Sequence, residues 1–272
     1  MRSLRASVLA AGVVAGLCPA LAAQDELSVL TDAMDFAMRD AKFTMYHEIG
    51  HMLVSELDLP VLGREEDAVD ALATIWLITD DNDDDSWNAL IDAADGWYFN
   101  AVESTGSGVD DFSYYSDHSL DIQRAYAMVC LMVGAEPEVF RDAADAYELD
   151  RDQQDACAYT YEQARRSWEK LLEPHRDDEN YGEPITIIYE DPGEYKKFAK
   201  QFAARGIMEH AADLVMENYV LPQPVTFRAT QCGEANAFFD PNESEVIYCY
   251  ELAEYMYHMY LYDIVGWGDT AN

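Results

Sequence analysis

The chain has 272 residues, half of them hydrophobic, which is enough to bury a sizeable core and argues against disorder over most of its length. Its 53 acidic residues against 17 Lys and Arg leave a formal charge of −36, a surface that repels nucleic acid and anionic membranes. The acids read first as a solvated face that keeps the protein in solution, and second as an attractor for cationic substrates or partners.

In chain order, the first two dozen residues read as an export signal. Arg2 and Arg5 precede an apolar run from about Ala6 to Cys18, and "PALAAQ" offers small residues for cleavage near Ala23 or Gln24. Cys18 lacks the preceding small residue of a lipoprotein signal, so simple cleavage into a periplasmic or extracellular space is expected. No later apolar run reaches the length of a membrane span.

Helical periodicity dominates from about Leu27 to Leu172, in "LSVLTDAMDFAM", "DAVDALATIWLI", "SLDIQRAYAMVCLMVG" and "ACAYTYEQARRSWEKLL". Pro137 opens a further helix and Pro174 follows the last one. After about Asp177 the texture changes. "PITIIYE" reads as a strand, a helix is expected over 193–218, and "PVTFRAT", "ANAFF" and "EVIYCY" read as strands, the last two joined by an Asp-Pro-Asn turn. A terminal helix is expected from about Glu251. The fold class is therefore α+β, mainly helical, with a small antiparallel sheet from the C-terminal third.

Four cysteines follow the signal, an even count that suggests two disulfides in an oxidising compartment. Three connectivities are possible; sequence proximity favours Cys130–Cys157, stapling two helices, and Cys232–Cys249, tying neighbouring strands.

The chemistry concentrates in "YHEIGHMLVSELDLPVLGREEDAVDAL". On a helix, His47 and His51 project from one face and can reach one metal ion, while Glu48 can act on water beside it as a general base. Gly50 leaves the surface between the histidines open to another segment. Pro60 and Gly63 mark a turn, after which Glu65, Glu66 and Asp67 open a new helix. Any of the three can be the third ligand. Glu66 and Asp70 share a face, so one can bind metal while the other fixes a histidine tautomer.

"HEIGH" followed by "LPVLGREEDAVDALA" resembles the gluzincin-type zinc peptidases. More narrowly, with "HSLDIQR", "CGEANAFFDP" and "CYEL", it resembles a family of exported bacterial proteins classed as metallopeptidases and known only as a domain of unknown function. The resemblance implies one catalytic zinc held by His47, His51 and Glu66, with Glu48 as base, Asp70 behind a histidine and a peptide or protein substrate. Glu65 stays as an alternative ligand. The signal pattern and the change of texture near 177–183 divide the chain into a signal at 1–23, a helical HExxH region at 24–178 and an α+β module at 179–272 that is expected to complete the same domain. His118 is a candidate for stabilising an oxyanion, weighed against a capping role. A zinc-stabilised scaffold or binding protein of the cell envelope is the alternative function. The acid run at 81–92 approaches calcium-loop spacing, but Ser86 stands where that loop needs Gly and Asp92 where it prefers Glu, which argues against Ca2+. Nothing in the sequence points to an oligomeric state.

Overall fold

The computed structural model describes residues 18–105, 119–176 and 184–267, with side chains from residue 26 onward except at 104 and 105. Six helices come first: α1 (Cys18–Glu56), α2 (Glu65–Thr79), α3 (Asp84–Thr105), α4 (Asp121–Ala135), α5 (Pro137–Ala146) and α6 (Arg151–Leu172). Then β1 (Ile185–Tyr189), α7 (Lys196–Ala204), α8 (Ile207–Asn218), β2 (Val225–Thr230), β3 (Ala237–Asp240), β4 (Glu245–Cys249) and α9 (Tyr250–Met259) follow. The α+β class holds. The segment expected as one helix over 193–218 is two, broken at Gly206, whose φ of +62° is a left-handed conformation that glycine adopts without a Cβ penalty. The residues that change texture near 177–183 lie outside the described residues.

α1 is the axis of the molecule. From Phe36 to Leu53 nearly every side chain is buried, on all faces of the helix, because α2, α3, α8, α9 and the sheet surround it. Its core residues, among them Phe36, Phe43, Met45, Ile49 and Met52, belong to one continuous apolar cluster with Trp76, Phe202, Phe227 and Val246.

The sheet order is β1-β2-β4-β3. It is mixed, where the sequence suggested a purely antiparallel unit. β1 and β2 are parallel because α7 and α8 form the crossover between them, and β4 is parallel to β2 because the β3–β4 hairpin places β3 outside. β3 is thus an edge strand, and it lies against α1. Two ties hold it there. Ser244, in the hairpin turn, donates to Glu56 at the end of α1 at 2.8 Å, and Gln223 donates to the same carboxylate at 2.8 Å. Both expected disulfides are present: Cys130–Cys157 joins α4 to α6, and Cys232–Cys249 pins the loop before β3 to the end of β4.

Full burial of α1 has a price in charge. Asp40 faces Asp92 of α3, and burial first, then their mutual repulsion, raises Asp40 to about 7. Asp92 also rises to about 7, from burial and the neighbouring Asp95, although Arg39 opposes it. A carboxyl whose folded pKa exceeds its unfolded value binds more protons when folded, so its contribution falls as pH rises from about 4 to about 7 and is flat above. Asp40→Asn should therefore gain stability over the wild type, about 2–4 kcal/mol more at pH 8 than at pH 4. Thermal unfolding of the metal-free proteins at the two pH values measures this; an equal difference at both would remove Asp40 from the account.

Candidate metal centre

The approach of α1 and α2 builds the site. Gly50 sits at their crossing, and a Cβ there would lie 2.7 Å from Val69 Cβ, closer than real side chains come. Between the helices the chain turns through Asp58 and Gly63, both at positive φ, with Leu59 buried as an anchor. Trp168 of α6 donates its indole N–H to the Ala68 carbonyl at 3.0 Å and holds the first turn of α2 from outside. The result sets the carboxylates of that turn over the two histidines.

His47 and His51 are held in the same way. His47 Nδ1 lies 2.8 Å from Asp70 Oδ1, and His51 Nδ1 lies 2.8 Å from Glu65 Oε1. With Asp70 ionised, Nδ1–H is the donor, which leaves Nε2 as the nitrogen that can ligate a metal once its own proton is displaced. The two Nε2 atoms face each other at 3.2 Å, and Glu66 spans them at 3.2 Å from His47 and 3.4 Å from His51. Two imidazole nitrogens bound tetrahedrally at zinc distances stand about 3.3 Å apart, so this spacing fits a zinc-sized ion. Among the described residues, His47, His51 and Glu66 are the group whose ligand atoms could hold a metal, all within 4.8 Å of one another.

Electrostatics agree with the geometry. Burial works to lower His47, yet its hydrogen bonds to Asp70 and Glu66 outweigh it and raise it to about 10. Burial works to raise Glu66, but the two histidines hold it well below the ordinary carboxylate range. The cluster therefore draws positive charge inward, which protons or a cation can supply. Glu48, buried beside His47 with Oε1 4.0 Å from Nε2, is pushed up chiefly by burial, opposed by both histidines. A base of raised proton affinity next to two metal-type nitrogens can move protons to and from water held there.

Arg124 of α4 completes the frame. Its Nε donates to Asp70 Oδ2 at 2.6 Å and its Nη2 to Oδ1 at 2.7 Å, while the guanidinium stacks 3.7 Å over Trp97. Burial works to raise Asp70, but the Arg124 and His47 bonds leave it well below its usual value. Sequence reasoning assigned Arg124 nothing, because no spacing links it to a carboxylate 54 residues earlier; its only signal was its place in "HSLDIQR".

Of the other expected positions, Glu65 holds a histidine and Asp67 turns away to accept from Ser119 at 2.8 Å. His118 lies outside the described residues. In the acid run, Asp83 accepts from the Ser86 N–H at 2.8 Å and so starts α3, and Asp81 pairs with buried Lys42 at 2.8 Å. A cleft of about 570 Å³ lies over the metal-type residues, with β3 as its other wall through Ala237, Phe238 and Phe239.

Gly50→Ala should push α2 away from α1, costing roughly 1–3 kcal/mol. The same variant should weaken metal binding, because Glu65, Glu66 and Asp70 move together. Calorimetric unfolding and zinc titration of one preparation check both effects; unaltered zinc affinity would mean that the crossing does not set the ligand geometry.

No curated protein and no solved structure matches the chain. Residues 15–172 and 189–263, which include every residue of the centre, match the family described as "Putative metallopeptidase". That match covers well over half of the sequence, and the chain belongs to this family.

Proposed function

We propose that the protein is an exported zinc-dependent metallopeptidase of gluzincin type, with His47, His51 and Glu66 as metal ligands. The observation that carries the reading is the convergence of those three side chains beside a buried Glu48, in a cleft walled by an edge strand. When bound, zinc supplies a Lewis acid that polarises the substrate carbonyl and acidifies water. The rest is the work of the chain. Glu48 takes the proton from the attacking water and delivers it to the amine as the peptide bond breaks. Asp70, itself gripped by Arg124, and Glu65 keep the two imidazoles in the ligating tautomer. As an edge strand, β3 can be paired by an extended peptide, which would add a strand to the sheet. Export is supported by the N-terminal sequence pattern and the two disulfides. Among the described residues no helix is long and apolar enough to cross a membrane.

The test combines elemental analysis with a peptide-library assay. Wild type should hold one zinc and cleave; Glu66→Ala should lose the metal. Glu48→Gln should keep it while kcat falls about 100- to 10,000-fold. Stoichiometric zinc without cleavage in wild type would favour a zinc-stabilised scaffold instead, and absence of bound metal would end the catalytic reading.

Asp70→Asn and Glu65→Gln should each weaken zinc affinity about 10- to 100-fold. Competition against a chelator of known affinity reads this out. Unchanged affinity in both would show that the carboxylates behind the histidines are only structural.

A further inference from the structure

Beside the metal cleft lies a second cavity of about 420 Å³. The two share His47, Glu48, Asn236 and Ala237, and the second continues away from His51 and Glu66, which do not line it. It is therefore an extension of the site past the general base.

Its wall carries Asp40, two helical turns before His47 on α1 and roughly 10 Å from it along the axis. Asp40 is only 8 % exposed. Its hydrogen-bond partner is the Thr44 side chain, and no Lys, Arg or His among the described residues lies within ion-pair distance of it. The nearest charge it feels is the acid Asp92. Gly96 lines the cavity beside the carboxyl: a Cβ there would meet Asp40 Oδ1 in ordinary contact at 3.6 Å and crowd the Met256 terminal methyl at 2.8 Å. Burying a carboxyl without a cation is costly, and a fold that does so at the end of a cavity joined to its reactive centre leaves the compensating charge to come from outside.

We propose that this cavity receives the side chain of the substrate residue whose amino group leaves, and that Asp40 selects Lys or Arg there. The inference rests on the peptidase reading. A peptide pairing antiparallel with β3 enters at the Pro241 end of the metal cleft and leaves past Ala237, which places the residue following the scissile bond over the second cavity. The distance to Asp40 suits a long side chain, whose methylenes would lie along Trp97, Leu252 and Met256 on the wall. Arg124 lines the same wall, but its charge is taken up by Asp70. The net charge of −36 favours the approach of basic peptides over acidic ones.

The experiment compares peptides that differ only in having lysine, arginine, norleucine or glutamate after the scissile bond. Zinc-loaded wild type should show kcat/KM at least tenfold higher for lysine or arginine than for norleucine, and Asp40→Asn should abolish that ratio. A companion arm measures equilibrium binding of the same peptides to zinc-loaded Glu48→Gln, with and without Asp40→Asn, with folding checked by circular dichroism and zinc content. Tighter binding of the lysine peptide that depends on Asp40 supports the pocket, even if wild type cleaves nothing and the peptidase reading fails by itself. Equal binding of lysine and norleucine peptides, or a preference that survives Asp40→Asn, overturns the inference while leaving peptidase activity to stand.

Discussion

The burial of α1 on every side is the constraint from which the rest follows. A helix in that position loses water along its whole circumference, so each polar group on it must find a partner inside the protein or change its protonation. Lys42 is met by Asp81 and by the Ser86 hydroxyl at 2.6 Å, His47 by Asp70, and His51 by Glu65. Those partners come from α2, from the segment between α2 and α3, and from the start of α3. The polar residues of one helix thereby dictate where the N-terminal ends of α2 and α3 must lie.

The frame around the centre has a clear division of labour. One turn and a half of α2 provides all three carboxylates that touch the histidines: Glu65 and Asp70 from behind, Glu66 from the front. Acids in the first turn of a helix cost little, since the exposed N–H groups there favour negative charge. Arg124 then neutralises Asp70 from a third helix, so that the carboxylate can stay ionised in a dry place while it accepts from His47.

Much of this was legible in the sequence, for reasons that can be named. The histidine pair, Glu48, Gly50 and the turn at Pro60 are local features, and local spacing on a helix decides which side chains share a face. Both disulfide pairings followed from proximity and occur as expected. What escaped was non-local. Arg124 meets Asp70 only because α4 packs against α2, and the parallel pairing of β2 with β4 depends on β3 swinging outside, which no strand pattern encodes. The break at Gly206 was missed for a different reason: the apolar period continues through it, and a single glycine is a weak signal. Glu65 was read as a helix-start acid or an alternative ligand, and the structure puts its carboxylate behind His51, a role visible only once α1 and α2 are laid against each other.

A metal held between α1 and α2 would tie its binding to folding. Nearly all the acids of the centre belong to α2 and the imidazoles to α1, so a cation shared between them crosslinks the two helices at the point where Gly50 lets them touch. The same carboxylates favour protons on the histidines, which is why His47 is raised to about 10. A metal entering must displace those protons, which makes its affinity a function of pH and its binding energy a part of the stability of the α1–α2 pair. The cavity at Asp40 follows the opposite rule. There the buried acid has no cation beside it and burial favours its protonated form, so in the proposed pocket a cationic group arriving with the substrate would stabilise the carboxylate through the cavity.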